Sequence, residues 1–222
     1  MDRYAVCIDV SGPLAMFARP DTGAVPTSYP VPTWSAAKGI FESIALLADG
    51  AACITPTRVA VLRRQGDRGG EVRYQRYTTN YGGPLRKGSS VSSGAGMQFF
   101  ATVLSDVHFR IWGEAVRRVR RPQNNPAHHL KALFDRRLKR GECFRTPSLG
   151  WKEFTCSYWG VPRDDFEVDT DLNLVIPSML VNMWSEAVDG TYAPFFAQDV
   201  AVQNGVLVYP QPVMIQEVSH AE

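Results

Sequence analysis

The stretch QFFATVLSDVHFRIWGEAV, residues 98–116, decides the fold, because it is the longest run in the chain that suits a single strand. It is rich in Val, Ile and aromatic residues, which favour extended backbone, and it contains no proline. We therefore predict a long strand here, the third along the chain.

The elements before this strand follow from their own patterns. Residues 3–10 alternate like a first strand, and a Pro- and Gly-rich connection covers residues 11–32. Residues 33–47 carry apolar side chains at three- and four-residue steps, which predicts the first helix. Residues 51–62 predict a second strand that is irregular at Pro56.

Two further elements follow the long strand: a second helix within residues 124–144 and a fourth strand over residues 149–160. The resulting order, βαββαβ, is that of the ferredoxin-like fold, which RNA-recognition modules also use. We therefore predict an α+β protein in which residues 1–162 form a ferredoxin-like (RRM-like) RNA-binding domain.

The last part of the chain has a different composition, because it is acidic and built of short apolar runs. Residues 166–177, 178–184 and 205–218 predict short strands. We expect residues 163–222 to form a small, acidic, antiparallel β-rich C-terminal domain.

A long insertion rich in Gly, Arg and Tyr lies within the first domain, at residues 63–97. We predict a flexible basic and aromatic segment, with a hairpin as one possible form. Basic residues that alternate with Tyr74, Tyr77 and Tyr81 would suit contacts to phosphate together with stacking on bases. The alternative is a mobile surface loop that contacts nothing.

The net charge of +2 hides a strong asymmetry along the sequence. Residues 117–152 hold eleven Lys and Arg against two Asp and Glu, a net charge of +9. Residues 153–222 carry a net charge of −10, and residues 1–116 carry +3. The cationic block indicates a polyanionic partner, most commonly a nucleic acid. The acidic part either faces a basic partner subunit or is a solvated surface.

Cysteine spacing and the N-terminal sequence exclude several classes of protein. The four cysteines are far apart and include no CxxC pair, so neither a zinc site nor a disulfide framework is predicted. No secretory signal and no run of about 18 apolar residues is present. We expect a cytoplasmic protein with reduced thiols, no membrane contact and no cofactor.

Two adjacent histidines begin the predicted second helix, in the segment NNPAHHLKALFDRRLKRGECF, residues 124–144. Asn125 is a good N-cap and Pro126 suits the first helical position. His128 points nearly opposite the apolar stripe of the helix, and His129 lies at its margin. Adjacent helical residues diverge by about 100°, whereas chelation from a helix takes i, i+4 spacing, so we predict no metal site.

The position of these histidines suits RNA chemistry. A helix N-terminus presents free amides and a positive dipole, both of which attract phosphate. RNA carries its own nucleophile, the 2′-OH, so a base and an acid suffice for cleavage without a metal. Alternatively, both histidines are surface residues with no catalytic role.

Three segments together resemble one protein family. They are IDVSGPLAMFARPDTGAVPTSYPVPTWSAAKGIFESIALL (8–47), VLSDVHFRIWGEA (103–115) and NPAHHLKALFDRRLKRGECFRTPSLGWKEF (125–154). In order, spacing and residue type they resemble the CRISPR-associated Cas-five family of the repeat-associated (RAMP) superfamily, in its subtype I-C branch (Cas-five-d). The resemblance covers roughly residues 7–62 and 100–160.

The resemblance implies a subunit of the type I effector complex, Cascade, acting in antiviral defense. Such a subunit holds the 5′ handle of the guide RNA, contacts the backbone and large subunits, and meets target DNA through the complex. In subtype I-C it is also the endoribonuclease that cuts the repeat precursor without metal, through 2′-OH attack that leaves a 2′,3′-cyclic phosphate.

The resemblance also implies a catalytic set, a tyrosine near the end of the first helix and a Lys-His pair at the start of the second. Here His129 matches the family histidine, His128 stands at the lysine position, and Ala45 stands at the tyrosine position. Loss of one acid or base costs about 10²–10⁴ in rate. The alternative hypothesis is therefore a non-catalytic handle-binding and assembly subunit, with processing by another protein. A third is an unrelated enzyme with a ferredoxin-like fold.

Candidate site residues follow from both lines of reasoning. The catalytic candidates are His129 and His128, and no metal ligand is predicted. The candidate RNA contacts are basic or aromatic: Arg19, Tyr29, Lys38, Arg73, Tyr74, Arg76, Tyr77, Arg117, Arg118, Arg120, Arg121, Lys131, Arg136, Arg137, Lys139 and Arg140. Simpler roles remain open for Tyr29 as a core tyrosine, for Lys38 as a solvated residue and for the four arginines of 117–121 as a surface turn.

Overall fold

The computed structural model of the chain describes residues 4–23, 25–81, 97–118, 125–184 and 191–211. Two helices and nine strands occupy these ranges. In chain order they are β1 (Ala5–Ala15), α1 (Trp34–Ile44), β2 (Ala52–Arg64), β3 (Tyr74–Tyr81), β4 (Met97–Arg117), α2 (Pro126–Arg140), β5 (Tyr158–Gly160), β6 (Phe166–Val168), β7 (Leu174–Trp184), β8 (Tyr192–Gln203) and β9 (Val206–Val208).

The protein is mixed α/β and mostly strand. Within the described residues the strands form one sheet in the order β5-β1-β4-β2-β9-β8-β7, and every pairing in it is antiparallel. β3 pairs with the beginning of β4, and β6 pairs with the end of β2. The predicted long strand is confirmed as β4, which is the common partner of β1, β2 and β3.

The first helix is shorter than its apolar pattern predicts. It begins after Thr33, whose hydroxyl accepts a hydrogen bond from the Ala36 N–H, but it ends at Ile44 rather than Leu47. Tertiary partners satisfy its last carbonyls, since the Arg137 guanidinium donates to the Ile44 carbonyl over 2.6 Å. A helix whose end is satisfied in this way needs no further turn.

The connection predicted over residues 11–32 was placed too early, because β1 continues to Ala15. At Gly12 the strand lies close to the segment after α2, since a Cβ there would be 2.7 Å from Leu149 Cδ1. Strand pairing at Gly12–Val107 and Ala15–Leu104 then carries β1 along β4.

The fourth strand was predicted too long, because β5 contains only residues 158–160 of the predicted 149–160. Gly150 explains the difference, since its φ of +93° lies outside the strand region. The segment turns there, and the Leu149 N–H donates to the Phe154 carbonyl over 2.7 Å.

The strands after residue 163 continue the sheet. β9 pairs with β2, from Arg58–Val208 to Ala60–Val206, and β8 and β7 follow outward. β8 was not predicted from the sequence. Ile176 and Met179 of β7 lie in the same hydrophobic core as the buried sides of the two helices.

One face of the sheet carries a buried ion pair. Asp9 is 2% exposed, and Arg110 of the neighbouring strand donates to both of its carboxylate oxygens, over 2.7 and 2.9 Å. The Arg163 N–H also donates to Asp9, over 2.9 Å, and the Arg163 carbonyl accepts from Arg110. This cluster attaches the segment after β5 to the middle of the sheet.

On the same face His108 stacks on Phe166, with ring centroids 4.3 Å apart. Its Nε2 lies 3.4 Å from an Asp106 carboxylate oxygen. Burial lowers the pKa of His108, an effect that Asp106 opposes and that Arg163 and Arg64 reinforce. The fold therefore favours the neutral imidazole.

The lowered pKa of His108 predicts a loss of stability in mild acid. As pH falls below the ordinary histidine value of 6.5, the unfolded chain binds the proton more readily than the folded one. We expect replacement of His108 by glutamine, which does not titrate, to flatten the fall of the melting temperature between about pH 7 and 5. Equal slopes for the two proteins would contradict this role for His108.

Among the helices of the described ranges, none has the length and apolar character needed to cross a membrane.

Candidate functional site

The second helix begins as the sequence predicts. Asn125 is its N-cap, and the Asn125 Oδ1 accepts a hydrogen bond from the His128 N–H over 3.3 Å. Pro126 occupies the first turn, and Leu130 and Phe134 are buried beneath the helix. The helix ends at Gly141, whose φ of +66° suits glycine. The start of α2 is therefore a fixed, capped position.

Both histidines are exposed at this helix start. His129 lines a cleft of about 490 Å³ between the beginning of α2 and residues 47–51, the loop after α1. Asn125 and Pro126 form the same wall, and Asp49 lies on the loop side. The imidazole of His129 therefore borders an open cleft at the start of α2.

Ala45, at the tyrosine position implied by the resemblance, is 2% exposed. Its N–H donates to the Phe41 carbonyl as the C-cap of α1. The side chain at this position packs in the core, so residue 45 supplies the cleft with no acid, base or hydroxyl.

Tyr4 lies beside the histidines and was not identified from the sequence. The Asn125 Nδ2 donates to the Tyr4 hydroxyl oxygen over 2.6 Å. The Tyr4 and His128 rings meet edge to face, with centroids 6.5 Å apart. No local signal marks Tyr4, because only the pairing of β1 with β4 brings residue 4 to the start of α2.

The basic residues of α2 differ in their environment. Arg136, Lys139 and Arg140 are exposed. Lys131 pairs with Asp135 at 2.5 Å, and Arg137 holds the end of α1 as described above. Three of the five predicted cations on this helix are therefore presented directly to solvent.

The arginine segment, residues 117–121, begins at the edge of the cleft. Arg117, the last residue of β4, is exposed, and the Arg118 N–H donates over 2.9 Å to the carbonyl of Ala51, a cleft residue. The predicted contacts Arg120 and Arg121 lie outside the described residues. The first two arginines therefore adjoin the cleft that His129 lines.

A second group of predicted contacts lies at the other end of β4. The hairpin form suggested for the insertion is present over residues 74–81, which pair as β3 with residues 97–104. Roughly 40 Å of extended chain separates Leu104 from Arg117. The two groups of predicted contacts are therefore far apart along β4.

Within this second group, Tyr74 is 43% exposed and the Arg76 guanidinium lies 5.4 Å from the centroid of the exposed Phe100 ring. Arg19 and Arg73 are paired with carboxylates, Arg19 with Asp21 at 2.7 Å and Arg73 with Asp106 at 2.9 Å. Of the predicted Tyr81, only the backbone is described.

Three predicted RNA contacts are packed or paired within the fold. Tyr29 is 1% exposed, and its hydroxyl accepts from the Leu180 N–H over 3.0 Å. Tyr77 packs against Phe154, with ring centroids 5.1 Å apart. Lys38 is buried and paired with Glu42 on the next turn of α1. Burial removes Tyr29 and Lys38 from the candidate contacts, and of the alternatives for Tyr29 the core tyrosine is correct.

A second cavity, of about 260 Å³, lies on the other face of the sheet. Its charged lining is balanced, four arginines against four carboxylates: Arg63, Arg64, Arg68 and Arg73, with Asp67, Glu71, Asp106 and Asp169. Because these charges cancel, the lining of this cavity does not favour a polyanion.

The cysteines are all free thiols. Burial raises the pKa of Cys7 to about 11 and that of Cys156 to about 12, so neither is a nucleophile near neutral pH. Within the described ranges, no group of three or more His, Cys, Asp or Glu side chains is arranged to hold a metal ion.

Comparison with known proteins identifies similar chains. The family model described as CRISPR-associated protein (Cas_Cas5) matches residues 5–191. "CRISPR pre-crRNA endoribonuclease Cas5d" of Thermus thermophilus is 31% identical over 176 residues, which cover 79% of this chain and 72% of the relative. The protein of the same name from Mannheimia succiniciproducens is 28% identical over 170 residues, 71% of this chain and 73% of that one.

Solved structures are similar in fold. A crystal structure described as a CRISPR-associated protein has a TM-score of 0.65 to this chain at 19% identity. The likeness covers 94% of this chain and 92% of the other.

Proposed function

The chain belongs to the CRISPR-associated Cas5 family, and from this membership and the cleft beside α2 we propose that it is a pre-crRNA endoribonuclease that remains on the guide RNA as a Cascade subunit. It cuts the repeat precursor without a metal and then holds the 5′ handle. The backbone and large subunits are its protein partners, target DNA is met through the complex, and the cytoplasm is its location.

The observation that carries this proposal is the position of His129, exposed in a cleft at the N-terminus of a basic helix. In the proposed reaction His129 takes the proton of the 2′-OH as the O2′–P bond forms. His128, as the imidazolium, gives a proton to the 5′-oxygen as the P–O5′ bond breaks. The products are a 2′,3′-cyclic phosphate and a 5′-OH, so atoms and charge balance between the two imidazoles.

The fold supports an RNA-binding core. The strand order β5-β1-β4-β2, with α1 after β1 and α2 after β4, supports the ferredoxin-like assignment of residues 1–162. We keep residues 163–222 as a proposed second unit that joins the first through β9 and β2. Its acidic character suits a basic partner subunit rather than the same RNA.

The proposal is tested with purified protein and the CRISPR-repeat RNA of its own locus in excess EDTA. Defined cleavage with a 2′,3′-cyclic phosphate end supports a metal-independent nuclease. Tight binding without cleavage would instead assign a handle-holding subunit, the alternative that the buried Ala45 favours. A protein that neither binds nor cleaves the RNA would contradict both the nuclease and the handle-holding hypotheses.

The arginine segment predicts a salt-dependent contribution to RNA affinity. Replacing Arg117, Arg118, Arg120 and Arg121 together by glutamate should weaken RNA binding and lower the slope of log affinity against log salt by up to about 3. A control with glutamate at Arg68, an exposed residue of the loop before β3, should change the slope by less than about 1. Unchanged binding of the quadruple variant at moderate salt would contradict the assignment.

A further inference from the structure

We propose that Tyr4 is a positioning residue of the cleavage site, holding His128 and the Asn125 cap in place. This inference rests on the proposed function. Tyr4 supplies a phenol at the start of α2, in a chain whose residue 45 is a buried alanine. The family match begins at residue 5, so Tyr4 lies outside the matched pattern.

Tyr4 contacts the helix start at two points. Its hydroxyl oxygen accepts from the Asn125 side-chain amide over 2.6 Å, and its ring meets the His128 ring edge to face. The Asn125 Oδ1 in turn caps the His128 N–H. One side chain therefore restrains both the backbone cap and the imidazole of His128.

Tyr4 is itself held by the sheet. Its carbonyl accepts from the Ala115 N–H over 3.0 Å, and the next residue, Ala5, pairs with Glu114. A contact based on a strand positions a ring more firmly than one based on a loop. The restraint on His128 is thus anchored where β1 begins to pair with β4.

Other tyrosines of the described ranges are placed elsewhere. Tyr29 and Tyr209 are buried, and Tyr77 packs on Phe154. The Tyr158 hydroxyl donates to the Val161 carbonyl, and the Tyr192 ring meets Trp184. Tyr74 lies on β3, which pairs with the far end of β4. Among these tyrosines, Tyr4 is the one that contacts the start of α2.

Tyr4 contacts His128, which is the general acid of the proposed reaction. Because the leaving 5′-oxygen accepts its proton from His128, a mispositioned imidazole slows bond cleavage without weakening the grip on phosphate. Tyr4 itself neither gains nor loses a proton in this scheme. Its contribution should therefore appear in the rate at saturating RNA and not in RNA affinity.

Single-turnover cleavage of repeat RNA tests this role with four variants. Tyr4→Phe removes the hydroxyl, and we expect a rate about 10-fold lower. Tyr4→Leu also removes the ring contact with His128, and we expect a loss of about 100-fold. Asn125→Ser keeps a capping side chain but not the donor to Tyr4, so it should match Tyr4→Phe. The double variant Tyr4→Phe/Asn125→Ser should be no slower than either single one.

The same RNA dissociation constant and melting temperature are expected throughout. Tyr158→Phe, which removes a hydrogen-bonded hydroxyl from β5, is the matched control and should cleave at the unmodified rate. Unmodified cleavage rates for both Tyr4 variants would overturn the role of Tyr4 but not the proposed nuclease. Losses of rate that parallel a loss of RNA affinity or of melting temperature would do the same. Absence of cleavage by the unmodified chain would overturn it together with the proposed nuclease.

Discussion

Replacing His129 by alanine is expected to lower the single-turnover rate of repeat-RNA cleavage by about 10²–10⁴-fold. The imidazole lines the cleft beside α2, where the proposed base must accept the 2′-OH proton. The side chain is exposed and lies outside the buried stripe of the helix, so its removal should leave the fold intact. The loss should therefore be confined to the chemical step.

Two measurements separate this chemical effect from weaker binding. RNA affinity of His129→Ala, measured in excess EDTA, should stay within about threefold of the unmodified value, since one exposed imidazole among many contacts contributes little to phosphate binding. Lys139→Ala, an exposed change at the other end of α2, is the control and should affect affinity more than rate. A His129→Ala protein that cleaves at the unmodified rate would remove His129 from the mechanism.

Replacing Asp9 by asparagine is expected to lower the free energy of unfolding by about 3–5 kcal/mol. Asp9 is buried and accepts hydrogen bonds from both the Arg110 guanidinium and the Arg163 N–H. Asparagine keeps the shape but leaves the partly buried Arg110 without its counter-charge. The stability lost is the free-energy cost of holding the Arg110 charge in the protein without a counter-charge.

Urea unfolding of Asp9→Asn measures this loss, and Asp21→Asn is the matched control. Asp21 is paired with Arg19 in the same bidentate way but at an exposed site, so its loss should cost less than about 1 kcal/mol. Similar stability of the two variants would mean that burial does not strengthen the Asp9–Arg110 pair.

The features that were predicted correctly depend on local sequence. The cap at Asn125, the first-turn Pro126 and the buried side of α2 follow from residues within a few positions of one another. The irregularity of β2 at Pro56 is equally local, because proline lacks the N–H that a strand pairing uses. The long β4 follows from its own composition.

The errors arise where distant partners decide the structure. β1 extends because it pairs with β4 as far as Ala15–Leu104, and α1 ends early because Arg137 reaches the Ile44 carbonyl. Burial of Tyr29 and Lys38 also depends on neighbours that no local pattern reveals. Tyr4 was missed for the same reason, since its contacts with Asn125 and His128 cross more than 100 residues.

The pairing pattern of β4 and β2 also has a consequence for the order in which a growing chain can fold. Ala5 has no partner in the sheet until Glu114 has been synthesised, and the side of Arg58 that faces β9 must wait for Val208. Contacts of such long sequence separation make folding slow, since the loops must close before the contacts form. The sheet is completed only after Val208 has been synthesised, and until then the edge of β2 that receives β9 offers unpaired backbone groups to any other nascent strand.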